Sequence, residues 1–404
     1  VNITHVVPYM HPNAGGPPVV VDRICRRLAA RGHRVRVITT DALAGGGPGW
    51  ERAYADGGYE LDVHRATGRG PFAYSRTLAA ALRAAAAESD LVHLHTVWTY
   101  PTLRAAWACR KAGTPYLVMP HGMLDPNSVR RKRVKKWLYA KFVEAPNLRR
   151  AAGLVYTHPE EERLARQSVS GLPGGRIVPL AADEPPTDDR DRLAAEFFAG
   201  HPELTGSKIV LFLGRLHPKK GLDLLLPAFA EVAHRVPEAR LVLVGPGDPA
   251  YTARLVARAA AAGIAERVAF LGPLTGRDKW AALAAARAFA LPSYQENFAI
   301  TVVEALAVGT PVLLSRRVNI WSEVEAAGAG VISELDTALI AGNLLKVIGN
   351  AEFAGLLGNN GRALVRQTYN WDRTTDATEI AYRSALTSRS PVLLSSGGPV
   401  RDSN

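Results

Sequence analysis

At 404 residues the chain is too long for one hydrophobic core and suits two domains. Its 47% hydrophobic and 21% charged residues exclude wholesale disorder, and two cysteines, Cys25 and Cys109, exclude a disulfide framework or cysteine metal cluster and fit a reducing compartment. The net charge of +12 is concentrated, because Arg130 to Arg150 holds nine basic residues and one acidic. In chain order, the predicted strands of the first half are "NITHVV", "RVRVIT", "LDVHRA", "LVHLHT", "PYLVMP" and "GLVYTH", with helices beginning near Pro17, Phe72, Thr102 and Asn127. Strands that are apolar on both faces and linked by helices predict a parallel sheet covered on two sides.

The rhythm breaks at "AADEPPTDDRD", which places a linker over roughly Ala181 to Ser207. A second series follows, "KIVLFLG", "ARLVLVG", "RVAFLG", "AFALPS", "PVLLS" and "GVIS", again with helices between. After Asp336 the pattern is helical only and ends with "WDRTTDATEIAYRSAL". The predicted organisation is α/β: a Rossmann-like domain over 1–190, a second over 191–370, a terminal helix over 371–388 and a flexible tail over 389–404. Two doubly wound sheets of this kind bind ligands in a cleft at the carboxyl ends of their strands, so the loops there are where function is sought. No run approaches eighteen apolar residues and no charged leader precedes an apolar stretch, so the expected location is cytoplasmic, at most peripheral on a membrane surface.

The stretch "PSYQENFAITVVEAL" carries two carboxylates, Glu296 and Glu304, among otherwise apolar or small residues. If the chain is helical from Phe298, eight residues separate them by about 12 Å of axis. Hydrolytic carboxyl pairs flank one glycosidic bond at roughly 5 to 9.5 Å, so a hydrolase is disfavoured. A ligand polar at both ends fits better, with one hydroxyl acceptor at each end and an anion seated on the helix amino terminus between them. The plain alternative is that Glu304 is a solvated or capped helix residue. "FLGRLHPKKGLD" adds Arg215 and Lys220 just after the first strand of the second domain, where paired cations can neutralise a departing diphosphate in place of a metal ion; on its own such a loop reads as a solvated turn.

In the first domain, "NAGGPPVVVDRI" sets Gly15 and Gly16 between a strand and a helix, permitting close approach of a phosphate or simply a turn. It is neither a P-loop nor a G-x-G-x-x-G fingerprint. "VMPHGMLDP" sets His121 at a strand end, where an imidazole can donate to a sugar hydroxyl. His93, His95 and Trp98 lie at the neighbouring strand end; packing is their favoured reading and an acceptor pocket, through His95 and Trp98, the functional one. No D-x-D and no Cys/His ligand cluster stands at a strand end, so neither a metal nor another cofactor is expected. Within the basic stretch 130–150, Val134, Trp137, Leu138 and Phe142 recur at helical spacing. That face reads equally as an interfacial helix on anionic lipid and as a helix packed on the core, and nucleic acid is disfavoured for want of a recognisable module.

Taken together, "VVPYMHPNAGGP", "PHGML", "GRLHPKKG" and the E-x7-E spacing resemble the retaining glycosyltransferases of family 4, over most of the chain. The resemblance implies the GT-B fold, two Rossmann-like domains facing a cleft with the last helix crossing back to the first. It implies a nucleoside-diphosphate sugar as donor and a glycan or polyprenyl-linked acceptor, in bacterial surface polysaccharide or glycoconjugate synthesis. By it, Arg215 and Lys220 grip the diphosphate, Glu296 lies by the donor sugar, Glu304 holds the ribose hydroxyls and His121 faces the sugar. The amides of Asn297, Phe298 and Ala299 reach sugar and phosphate, and the loop around Leu274 touches the base. Many relatives read E-G-F-G where this chain has Glu296-Asn297-Phe298-Ala299, which bears on donor-sugar identity. Alternatives are a nucleotide-sugar epimerase of the same architecture, a non-catalytic sugar-nucleotide binding protein and, more weakly, an NAD(P) dehydrogenase.

Overall fold

The computed structural model describes residues 1–11, 15–42, 49–67, 70–126 and 139–387, the Lys141 side chain excepted. It divides into two compact units, Val1–Val178 with Thr375–Asn404, and Pro179–Thr374. The helix expected from Asn127, the apolar positions Val134, Trp137 and Leu138, and the tail 389–404 lie outside the described residues. Of that face only Phe142 is described, and it is exposed.

The first unit holds a seven-stranded parallel sheet built from β1 (Asn2–Val6), β2 (Arg34–Thr40), β3 (Glu60–His64), β4 (Leu91–His95), β5 (Tyr116–Met119), β6 (Gly153–Tyr156) and β7 (Gly175–Ile177). Its order is β3-β2-β1-β4-β5-β6-β7, so the winding reverses between β1 and β4. The central strands carry buried residues on both faces, as at Leu91–His95, because helices cover both sides. β7 has no counterpart in the sequence reading, since "GRI" is three residues long, half exposed and lacks an apolar alternation. The helix expected from Phe72 begins instead at Leu78, after a turn in which Ala73 takes φ +54.

The second unit is a six-stranded parallel sheet of β8 (Lys208–Leu213), β9 (Ala239–Val244), β10 (Val268–Gly272), β11 (Ala286–Leu291), β12 (Val312–Ser315) and β13 (Gly330–Ser333). Its order, β10-β9-β8-β11-β12-β13, reverses between β8 and β11. Helix Leu222–Arg235 buries Leu222, Leu225, Leu226, Phe229 and Val232, the stripe that a 3.6-residue period lays on one face. Phe212, Phe229 and Phe289 are fully buried, each worth about 1.5–3 kcal/mol of transfer free energy. The change of unit falls at Val178–Pro179, ahead of the expected boundary at 190. The stretch expected to be linker contains helix Arg190–Gly200, capped by the Asp189 carboxylate accepting from the Arg192 amide and packed on helix Gly276–Ala285.

The final helix, Trp371–Thr387, starts in the second unit and joins the first from Thr375 onward. There Arg31 donates to Asp376 at 2.6 Å and to Glu379 at 3.2 Å. Among the described residues no helix is long and apolar enough to cross a membrane.

Candidate functional site

In the second unit the loops after β8 and β11 leave from adjacent strands at the point where the winding reverses, the usual ligand position in an open α/β sheet. β11 stops at Leu291 rather than Ser293, because Pro292 has no amide to continue the ladder. The two loops are tied together. The Tyr294 amide donates to the Lys219 carbonyl at 2.8 Å, and Lys219 Nζ donates to Gln295 Oε1 at 2.7 Å. Gly221, φ +70, follows the short turn Pro218–Lys220, and a Cβ there would be driven into the Pro292 carbonyl oxygen. Only glycine lets the loops approach this closely.

Lys220 and Glu296 form an ion pair between the loops, each side chain one-fifth exposed. Glu296 is held from behind: its amide donates to the Arg317 carbonyl at 2.9 Å and its carbonyl accepts from the Asn319 amide at 3.1 Å. Asn319 Nδ2 also donates to Asn297 Oδ1 at 3.2 Å. Phe298 is buried edge-on against Tyr369. The helix starts at Ile300, not Phe298, because Ala299 sits at φ +58, in the left-handed region. That geometry costs a residue with a Cβ about 1–2 kcal/mol. Because this helix follows β11, its amino end, Ile300 onward, lies at the carboxyl ends of the strands. Arg215 follows β8, exposed, and among the described residues has no charged partner.

Glu304, one turn further along that helix, is not solvated. Its carboxylate is buried and takes Lys279 Nζ at 2.5 Å; burial raises its pKa, with Lys279 opposing that rise. Leu274 lies in the loop after β10, which leads into the helix carrying Lys279. Lysines 219 and 279, Gln295 and Asn319 escaped the sequence reading. The first two were visible only as charges near strand ends, and nothing local marks the others.

In the first unit Gly15 takes φ +100 at the amino end of helix Gly16–Ala30, and a Cβ on either Gly15 or Gly16 would meet nothing of the described residues within 4 Å. Conformation, not space, asks for glycine at 15. At the carboxyl ends of β4 and β5 three residues with side chains take positive φ: Thr96 (+71), Trp98 (+68) and His121 (+52). Strain gathered at strand ends is what a built site shows. The loop bearing His121 is pinned by the buried Glu161, whose carboxylate accepts from the Gly122 amide at 2.6 Å and from the Thr157 amide and hydroxyl at 2.8 Å. The buried Glu144 accepts from the Trp98 amide at 3.1 Å, and burial lifts its pKa to about 7.

Four imidazoles of this unit connect. His121 Nε2 meets His95 Nδ1 at 3.1 Å, His95 Nε2 meets His5 Nδ1 at 2.9 Å, His5 Nε2 meets the Tyr382 hydroxyl at 3.2 Å, and that hydroxyl meets His93 Nδ1 at 2.9 Å. Burial keeps all four neutral, with His5 held down at about 3, His121 at about 4, and His93 and His95 well below the ordinary range. His5, His93 and His95 bring ring nitrogens within 4.8 Å of one another, a cluster that spacing along the sequence does not reveal. His95 thus belongs with His121, as does His93, while Trp98 packs beside Tyr139 at the same strand ends.

The family described as "Glycosyl transferase 4-like domain" matches residues 15–182, and "Glycosyl transferases group 1" matches residues 194–364. The chain is 30% identical over 229 residues to the D-inositol 3-phosphate glycosyltransferase of Salinispora arenicola, covering 55% of this chain and 50% of that protein. It is 29% identical over 317 residues to the phosphatidyl-myo-inositol mannosyltransferase of Mycobacterium leprae, covering 76% of each. The match to the first of these thus spans about half of its length. Among solved structures, sucrose-phosphate synthase from Thermosynechococcus elongatus superposes with TM-score 0.77 at 23% identity, over 96% of this chain and 99% of that one. Anabaena Alr3699/HepE, in complex with UDP and glucose, superposes with TM-score 0.75 at 18% identity, over 95% and 99%.

Proposed function

We propose that this chain, which belongs to the group 1 glycosyltransferases of GT-B fold, moves a hexose-type sugar from a nucleoside-diphosphate sugar to a glycan or polyprenyl-linked acceptor, with retained stereochemistry and without a metal. The observation that carries the reading is the Lys220–Glu296 pair at the β8/β11 switch point, beside the amino end of helix Ile300–Ala307. A cation, an anion seat and a hydroxyl acceptor in that order match diphosphate and sugar.

In the ligand-free state Glu296 occupies Lys220. An arriving diphosphate carries more charge than one carboxylate and takes Lys220 over, which frees Glu296 to accept from sugar hydroxyls. Arg215 adds a second cation. The bond between the anomeric carbon and the diphosphate oxygen breaks, the acceptor oxygen bonds to the same face, and its proton passes to the leaving oxygen. Lys220 and Arg215 stabilise the charge that grows on that oxygen, an interaction stronger in the transition state than in the ground state. Glu304, held by Lys279, serves the ribose, and the loop at Leu274 the base. His121 donates to a sugar or acceptor hydroxyl. On this reading the enzyme works in bacterial surface polysaccharide or glycoconjugate synthesis from the cytoplasm, with residues 130–150 meeting anionic lipid.

The test is a thermal-shift panel of UDP, GDP and ADP sugars, followed by product analysis with the stabilising donor and candidate acceptors. One donor class should raise the melting temperature, and the product should keep the donor's anomeric configuration with turnover unaffected by a chelator. No shift with any nucleotide sugar would count against the donor seat, and donor conversion without an acceptor would turn the reading to an epimerase.

A further inference from the structure

The His121–His95–His5–Tyr382–His93 chain is a continuous row of hydrogen bonds whose direction can be assigned. Each N···N bond needs one N–H and one lone pair, and each neutral imidazole supplies one of each, so choosing one tautomer sets the whole row. The Tyr382 hydroxyl keeps its proton, because burial raises its pKa far above the ordinary range. It has one hydrogen to give and two imidazoles to satisfy.

If that hydrogen goes to His93 Nδ1, then His93 Nε2 must carry the other proton. Nε2 of His93 is buried and has no partner among the described residues. A buried N–H without an acceptor costs more than a bare lone pair, and such donors are the rarest orphans in native structures. If instead Tyr382 accepts from both imidazoles, its own buried hydrogen is left without an acceptor. The arrangement that strands no donor has His93 Nδ1–H donating to Tyr382, Tyr382 to His5 Nε2, His5 Nδ1–H to His95 Nε2, and His95 Nδ1–H to His121 Nε2.

We infer that Tyr382, acting through His5 and His95, is a positioning residue that holds His121 in the Nδ1–H tautomer, so that His121 meets its ligand as a hydrogen-bond donor. The role assigned to that donor rests on the proposed glycosyl transfer; the tautomer does not. The competing use of the cluster is a three-imidazole metal site. It is disfavoured because both nitrogens of His5 and His95 and Nδ1 of His93 already pair with one another, with His121 or with Tyr382, which leaves only His93 Nε2 open, and no carboxylate among the described residues joins them to offset a divalent charge.

The experiment is two-bond 1H–15N correlation on the full chain labelled with 15N-histidine at pH 7, the His121 signals being assigned by their loss in His121→Gln. The expected spectrum shows His121 with a protonated Nδ1 and a bare Nε2, and Tyr382→Phe shifts its population toward Nε2–H. Nε2–H in the unmodified protein overturns the inference whether or not any variant folds, and an unchanged tautomer in folded Tyr382→Phe overturns the part given to Tyr382. Equimolar zinc that abolishes the His5, His93 and His95 correlations would also overturn it, in favour of a metal centre. With the reaction in hand, Tyr382→Phe should lower kcat about ten-fold, the scale on which an outer partner of a functional imidazole matters, while donor KM stays within two-fold. Failure of that kinetic split with the tautomer confirmed would count against the role of His121, not against the relay.

Discussion

Lys220 and Glu296 stand 76 residues apart in the chain and meet as an ion pair across the two loops that leave β8 and β11. Because each is the other's partner before ligand arrives, they separate experimentally. Lys220→Ala should lower kcat about 10²- to 10³-fold, the cost of removing one group that stabilises transition-state charge, with a much smaller change in donor KM. Glu296→Gln should do the reverse for the bare nucleoside diphosphate, tightening its binding several-fold because Lys220 no longer has a competitor, while turnover of the sugar nucleotide falls. Calorimetry with the diphosphate and steady-state kinetics read the two effects; equal losses in both variants would sink the exchange of partners.

Ala299 carries a Cβ into left-handed backbone at φ +58. Glycine there relieves about 1–2 kcal/mol of strain and gives back about 0.4–1 kcal/mol through the freer unfolded chain. Ala299→Gly should therefore stabilise the protein by about 0.5–1 kcal/mol in urea unfolding, and Ala299→Val, with a β-branched side chain, should destabilise it by more.

Lys279 keeps a buried carboxylate company. Lys279→Met leaves Glu304 without its cation in a site that water barely reaches, and should cost about 3 kcal/mol, the low end for breaking a buried pair because Lys279 retains some exposure. Adding Glu304→Gln to Lys279→Met should restore much of that loss, since the uncompensated charge is gone. A double-mutant cycle on thermal unfolding measures the coupling.

Glu144 has its pKa raised from 4.5 to about 7 by burial, so between those pH values the folded state holds a proton that the unfolded state releases. Stability from this group is complete below about pH 4.5 and falls as pH rises through 7, by about 3 kcal/mol in all. Glu144→Gln does not titrate and can still accept from the Trp98 amide. Its stability relative to the parent should climb from pH 5 to pH 8; a difference independent of pH would show that Glu144 is ionised throughout.

Several elements were legible in the chain because burial leaves a one-dimensional trace. The runs that became β8, β9, β11 and β12 are largely apolar on both faces, as central parallel strands are, and the spacing in Leu222–Arg235 repeats with the helical period. β7 was not legible, being a short edge strand with nothing to bury on one side. The left-handed turn at Ala299 was hidden too, since glycine and asparagine mark such turns and alanine does not.

By itself the sequence determined two α/β units and which charged and small residues gather at the ends of their strands. Periodicity reports whether a residue is buried, and motif spacing reports which loop it sits on. Neither reports its partner. That Lys220 faces Glu296, that Lys279 holds Glu304, and that Tyr382 reaches His5 across 377 positions of chain were decided only when the sheets and the last helix packed. The energy of an ion pair or an imidazole bond falls off within a few ångströms, and only tertiary structure brings distant positions that close.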